Sequence, residues 1–265
     1  MKLFSESTRI AIRVMCALIY HDMMLFKQQF KDALINMFIA RTTAVLMYQH
    51  IMPIVGLKGF GAFIAISDLV QWGYFRLIGM ITQLVMDMQD GQTISYYLTL
   101  PFPPSLVFVS IALSNSLKTM TTSIFLLPLI KIVLGSSLTF EYASWWRFVV
   151  IFIVIHLFYS FLGLFLTSIT RRLDLFDNVW TRIMLPLWII GGYMFPWKAA
   201  YIASPWIGYA LLCNPLIYCL EGIRGSLLGY HNAIPFSVCF FMLVGFTLLC
   251  AHYALKNLKR RVDCL

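Results

Sequence analysis

The feature that most restricts this chain is a succession of long apolar stretches separated by polar breaks too short to be domains. The stretches run from about Ala33 to Pro53, from Phe60 to Met86, from the Pro101, Pro103, Pro104 cluster to Val133, from Trp145 to Ile169, from Val179 to Pro196 and from Pro235 to Leu255. A helix that crosses a bilayer needs roughly 20 mostly apolar residues, so six of them would occupy about 120 to 150 residues. The chain has 265, which leaves no room for a separate soluble catalytic domain. Composition agrees, at 60% hydrophobic and 12% charged, against roughly half apolar and about a quarter charged in an ordinary soluble domain. The fold class expected is an all-α integral membrane protein of one domain. Residues 1–31 form a cytoplasmic interfacial helix, 32–255 a six-span core and 256–265 a cytoplasmic tail.

Orientation follows from the placement of Lys and Arg near the span ends. With the N-terminus inside, the cytoplasmic ends carry Lys2, Arg9, Arg13, Lys27, Lys31, Arg171, Arg172, Lys256, Lys259, Arg260 and Arg261, and the outer loops carry Lys58, Lys131, Arg147, Lys198 and Arg224. Six spans with both termini in the cytoplasm satisfy this. In the first thirty residues Ile10, Val14, Ala17, Leu18, Met24 and Leu25 recur at helical spacing while Arg9, Arg13, Lys27 and Gln28 stay off that face, which predicts an amphipathic helix in the membrane interface. Arg13 and the His21-Asp22 pair interrupt the first apolar run, so it is expected to remain in the mature protein. Between the fifth and sixth spans, Trp197 to Asn232 is too long for a hairpin loop and too polar for a clean span. Re-entrant or interfacial outer helices fit it, covered by protein because irregular backbone is not tolerated against lipid.

Several functions are excluded or disfavoured. No G-x-x-x-x-G-K-[ST] loop occurs, so any ATP-powered step belongs to another chain. The net charge of +9 is spread over span ends rather than gathered into a stripe, which argues against a nucleic-acid partner. The six cysteines show neither C-x-x-C nor a Cys/His metal spacing, and no metal site is expected. Cys213 and Cys219 on one helix would stand about 9 Å apart along its axis, beyond disulfide reach; Asn214-Pro215 could break that helix, so a bridge stays open. A membrane-embedded lipid-modifying enzyme would need catalytic groups converging at one depth, and no H-E-x-x-H pair or comparable motif is present. No inverted repeat, the mark of many secondary transporters, is visible.

Arg41, Asp68, Arg76, Lys118 and His156 fall within or near the spans. Facing lipid each would be costly, so each should face the bundle interior, a partner subunit or a water-filled path. The alternative for the basic ones is that they snorkel to an interface. Asp68, Arg76 and His156, with Tyr193, Phe195 and Trp197, are candidates for lining a substrate path. Trp145, Trp146, Trp180, Trp188, Tyr193, Phe195, Trp197, Tyr201 and Trp206 are read as an aromatic group near the outer ends of the fourth and fifth spans, either an interfacial belt or a stacking surface for sugar rings.

The most specific segment is Asn214-Pro-Leu-Ile-Tyr-Cys-Leu-Glu221-Gly-Ile-Arg224-Gly-Ser-Leu-Leu-Gly229. Pro215 can start a helix, Glu221 and Arg224 share a face one turn apart, and Gly229 can stop it. The segment resembles the C-terminal signature of type-2 ABC transporter permeases, where Asn-Pro, Glu-Gly, an Arg and a closing Gly recur in this order. Phe176-Asp177-Asn178, Leu185-Pro186-Leu187 and Met194-Phe195-Pro196 resemble the start and end of that family's fifth span. Gly91 to Pro101 resembles its cytoplasmic coupling helix.

The resemblance implies a permease of a bacterial inner-membrane exporter that binds no cofactor itself. Its partners would be a second permease copy, simplest as a homodimer, membrane lipids, and two copies of an ABC ATPase that holds ATP and Mg. The cargo would be amphipathic: a glycolipid or polysaccharide, a lipid or a hydrophobic drug. Coupling to the ATPase would fall to Asp87, Asp90, Gly91, Gln92, Arg9 and Arg13, with Arg171 and Arg172 as weaker candidates. Asn214, Pro215, Glu221, Arg224 and Gly229 would form the outer re-entrant gate.

Overall fold

A computed structural model describes residues 2–54, 56, 60–90, 96–97, 103–229 and 234–262. Among the described residues every regular element is helical. The first, α1 (Lys2–His50), is one unbroken helix of 49 residues. The sequence reading divides this stretch near residue 31, but no break is present. Asp22, Lys27, Gln28, Lys31 and Asp32 are polar without interrupting a helix as Gly or Pro does, and the first residue of either kind is Pro53. Helix α2 (Phe60–Asp90) returns antiparallel beside α1, pairing Tyr48 with Phe60 at a ring separation of 5.8 Å.

Helix α3 (Pro104–Ser123) begins with proline in its first turn, where the missing N–H costs nothing. After a slight break α4 (Leu126–Leu134) continues it. The Lys131 ammonium closes α4 by donating to the carbonyls of Gly135 and Leu138 at 3.1 and 2.6 Å, satisfying acceptors that a helix end leaves orphaned. Helix α5 (Trp145–Ile169) starts and stops where the apolar run does. Its buried residues Phe148, Ile151, Phe152, Ile155, Phe158, Tyr159 and Leu162 share one face, and in its second half His156, Ser160, Leu164 and Ser168 are buried on further sides, as expected of a helix that enters a bundle. It crosses α2 closely: a Cβ on Gly73 would come 3.0 Å from the Tyr159 ring, and one on Gly163 would come 2.8 Å from the Met80 sulfur. Small residues at crossings let backbones approach where lipid gives no hydrophobic push.

The fifth stretch is α6 (Phe176–Val179), a π-helical turn at Trp180–Met184 and α7 (Leu185–Ile189). Next come the short helices α8 (Trp197–Ala203) and α9 (Pro205–Leu211), then α10 (Pro215–Leu228) and the closing α11 (Phe236–Val262). Helix α11 lies along α5 with Cys239, Leu243, Ala254 and Leu258 inward, while Phe241, Leu248 and Leu249 remain exposed.

Among the described residues three segments are long and apolar enough to cross a membrane, Pro104–Leu134, Trp145–Ile169 and Phe236–Arg261. The pair Pro205–Leu211 and Pro215–Leu228, bent by 95°, makes a fourth if it is one span. The sequence reading counts six. Helices α1 and α2 are long enough but too polar, α2 carrying Asp68, Gln71 and Arg76 through its middle. The 176–189 stretch is apolar but short: 14 residues reach about 21 Å, against a hydrocarbon layer of about 30 Å. Cys213 and Cys219 fall on either side of the α9–α10 break, and all five described cysteines are free.

Candidate functional site

The Asn214–Gly229 segment folds as its residues dictate. The Asn214 side chain caps α10, its amide oxygen accepting from Leu216 N–H at 3.0 Å, with Pro215 in the first turn. Its amide nitrogen donates to the Leu187 carbonyl at 2.8 Å, tying the helix start to α7. Gly229 ends the helix at φ +62°, and a Cβ there would collide with Tyr142, so only glycine fits.

Glu221 and Arg224 are not on an exposed outer face. They are 3% and 1% exposed, and their nearest charged atoms stand 3.7 Å apart. Arg224 is a hub: Nε donates to Ser67 Oγ at 2.8 Å, Nη1 to the Gly192 carbonyl at 2.8 Å and Nη2 to the Tyr193 carbonyl at 2.9 Å. Its guanidinium also lies 3.6 Å from the centre of the Phe63 ring. One planar fork therefore joins α10 to α2 and to the turn after α7. That turn is possible because Gly192 takes φ +81°, a conformation costly for other residues. Glu221 reaches the other way, accepting from the Trp197 N–H at 3.0 Å at the start of α8. The Trp197 indole donates to the Gly208 carbonyl at 2.9 Å, so α8 and α9 are held by the same set.

The network continues through Tyr193. Its hydroxyl donates to Asp68 Oδ1 at 3.0 Å, and the same oxygen takes Arg41 Nη1 at 2.9 Å. Asp68 is fully buried and Arg41 12% exposed. The Arg41 guanidinium lies 5.5 and 5.3 Å from the ring centres of Trp72 and Phe75. Phe75 packs on Trp188 and Trp188 on Tyr193, at 5.7 and 6.0 Å. An aromatic wall thus surrounds one carboxylate–guanidinium pair linking α1 to α2. Asp68 Oδ2, Arg41 Nε, both polar atoms of Gln71 and the indole nitrogens of Trp72 and Trp188 are buried with no hydrogen-bond partner among the described residues. That concentration of unsatisfied polar atoms is uncommon in a packed interior.

Other candidate residues lie elsewhere. His156 is fully buried in the core, Nδ1 bonding the Phe152 carbonyl at 2.8 Å and Nε2 the Ser123 hydroxyl at 3.1 Å. A carbonyl only accepts, so Nδ1 carries the proton and Nε2 accepts from serine; both ring nitrogens are occupied in joining α5 to α3. Phe195 is half-buried beside Met194, whose sulfur accepts from Tyr48 at 3.5 Å. Trp145, Trp146 and Trp206 are exposed, at 51%, 62% and 84%, whereas Trp188 and Tyr193 belong to the interior wall. Trp180 lies one turn after the start of α6 and is half-buried.

Of the residues read as coupling elements, Arg9 and Arg13 are exposed on α1. Gly91, Gln92 and the Asp90 side chain lie outside the described residues. Asp87 lines a cavity of about 400 Å³ between α1, α2 and α3, together with Arg76, Lys118, Asp22 and Tyr97. Burial, then the Asp22 and Asp87 carboxylates, holds the Tyr97 phenol above its ordinary range. Arg171 offers its carbonyl to Arg261 at 3.2 Å.

The sequence reading recognised Glu221, Arg224, Asp68 and Tyr193 separately but not that Arg41, Ser67 and the Gly192 carbonyl complete their set. Only the rarity of charge within apolar segments pointed to Arg41. No protein-family model matches the chain, and no curated protein matches it.

Proposed function

We propose that this chain is the transmembrane permease subunit of an ATP-driven exporter of the type-2 ABC class, in a bacterial inner membrane with both termini cytoplasmic. On this reading α1 and α2 are the first two of six spans. Their polarity is tolerated because Arg41 and Asp68 neutralise each other inside the protein, and the short 176–189 stretch completes its crossing through the turn that follows. Two copies form the path, and two separate ATPase chains drive it from the cytoplasmic side. The cargo is an amphipathic glycolipid, polysaccharide, lipid or drug.

The observation that carries the reading is the Arg224 hub. The residues on which the family resemblance rests are those that fasten the re-entrant α8–α10 unit to α2 and to the 190–196 turn. A buried pair with such acceptors is an all-or-none fastening, because a charge left unpaired there costs about 3–5 kcal/mol. It suits a gate that is shut at rest and opens as a unit. Charge reversal Glu221→Lys should therefore leave the outer side leaky or the cycle stalled; unchanged transport with this variant would count against a gating role.

A second reading has one observation in its favour. Asp68, fully buried beside an arginine and a tyrosine hydroxyl, is the kind of intramembrane carboxylate that ion-coupled secondary transporters use. Mild-detergent purification of the tagged chain, with mass spectrometry of what accompanies it, separates the two. A stoichiometric ATPase with a Walker A loop supports the pump, and its reproducible absence supports the ion-coupled transporter.

A further inference from the structure

We propose that the end of α11, together with the turn that follows α5, binds the head group of an anionic phospholipid. Helix α11 sets the depth. Between Phe236 and Tyr253 it turns Val238, Phe241, Met242, Leu248, Leu249 and Tyr253 outward, each more than a third exposed. That stretch is about 26 Å long, close to the roughly 30 Å of a hydrocarbon layer. Lys256, Lys259 and Arg260 follow within about 11 Å, at the level of the head groups. They keep to the same face: Lys256 comes seven and Arg260 eleven residues after Leu249, and Lys259 eleven after Leu248, spacings that return to one side of a helix. A molecule lying along α11 therefore meets apolar side chains first and cations next.

The contacts of this end bring in a further cation and divide spent charges from unspent ones. Arg261 turns inward, Nη1 donating to the carbonyls of Thr167 and Thr170 at 3.0 Å each and Nη2 to that of Arg171 at 3.2 Å, which caps the end of α5. Asn257 adds a bond from Nδ2 to Ser168 Oγ at 3.4 Å. The two helix ends are thus fastened, and Arg171 joins the patch. Arg172 is held by Asp174 at 3.1 Å. Arg171, Lys256, Lys259 and Arg260 are exposed and make no side-chain hydrogen bond or ion pair with a described residue. Helix α11 itself contains no Asp or Glu; the acids nearest in sequence are Asp174, Asp177 and Asp263. Positive charge prevails, so a lipid with a net negative head group fits, whereas a zwitterionic one brings a cation to cations. Each Lys or Arg near an anionic surface contributes about a fivefold gain in affinity. The inference rests on α11 crossing a bilayer, and neither on an ATPase nor on the direction of transport.

The test uses the full-length chain in mild detergent, titrated with dioleoyl phosphatidylglycerol or phosphatidylcholine, with adducts read by native mass spectrometry. Phosphatidylglycerol should be retained at least about tenfold more tightly. Arg171→Gln alone should lower that preference about fivefold, and Lys256→Gln, Lys259→Gln and Arg260→Gln together should bring the two lipids within about twofold of each other. Arg147→Gln is the control. This cation lies at the opposite end of the bundle, over the rings of Trp146 and Phe236, and its loss should change the preference by less than about twofold, being several screening lengths away. Unchanged melting temperatures show that the variants are folded. Equal retention of the two lipids overturns the proposal and leaves the patch to an acidic protein surface. An Arg147→Gln effect as large as that of Arg171→Gln also overturns it, since overall charge alone would then be at work, as does displacement of the lipid by equimolar glycerol phosphate. Because no ATPase takes part, failure here leaves the pump reading standing, and a chain that purifies without an ATPase can still pass this test.

Discussion

The network around Arg224 and the cavity around Arg76 both draw on α2 and treat their charged residues oppositely. Arg224 is 1% exposed and donates to Ser67 and to the Gly192 and Tyr193 carbonyls, and Asp68 is fully buried between Arg41 and Tyr193. Arg76, two turns further along α2 from Asp68, faces a cavity, and the Lys118–Asp22 contact beside it is open to solvent at about a quarter of each side chain. Buried charges that are paired and bonded act as fasteners whose loss is expensive, while exposed charges contribute little to stability and are free to serve a ligand. Composition therefore does not separate buried, paired charges from exposed ones in this chain; their burial and pairing do.

The sharpest way to break the contrast is Arg224→Ala. It strands Glu221 and removes three bonds, and should cost about 3–5 kcal/mol, read as a large fall in melting temperature in detergent and faster proteolysis after Trp197. Arg224→Lys should rescue little, because one ammonium cannot meet acceptors on α2 and on the turn together. Arg41→Ala comes next, at about 3 kcal/mol, and the double change of Arg41 and Asp68 to leucine should cost less than the sum of the single changes. Additive losses would show that the pair is not coupled. Tyr193→Phe removes only the hydroxyl donor to Asp68 and should cost about 1–2 kcal/mol. Smallest is Arg76→Ala, within about 0.5 kcal/mol of wild type; a loss comparable to that of Arg224→Ala would erase the distinction.

What could be read from the sequence followed residue by residue from how local each signal is. Asn214, Pro215 and Gly229 announce a helix start and stop because capping involves only near neighbours. Trp145–Ile169 is bounded correctly because a uniformly apolar run has no competing local preference. Arg41 and Asp68 are 27 residues apart, and Ser67 and Arg224 are 157 apart; no local rule pairs them. Nor does polarity mark a helix boundary: the charged run from Asp22 to Asp32 suggested one because solvation was mistaken for interruption. The Glu221–Arg224 pair was visible as a one-turn spacing, but its burial was not, since burial depends on where α2 and the 190–196 turn come to rest. The cavity was likewise illegible, being assembled from three helices and the Tyr97 segment.

The continuity of α1 makes it a lever arm. Arg9 and Arg41 are 32 residues apart along one rod, about 48 Å, so a tilt of about 5° at the N-terminal end sweeps the Arg41 level through about 4 Å. That is more than the length of the hydrogen bond between Arg41 and Asp68. With no glycine or proline before Pro53 there is no hinge to absorb such a tilt, and gentle elastic bending is the only compliance left. Force applied far down the helix therefore arrives at the Arg41–Asp68 ion pair, which joins α1 to α2 in the protein interior.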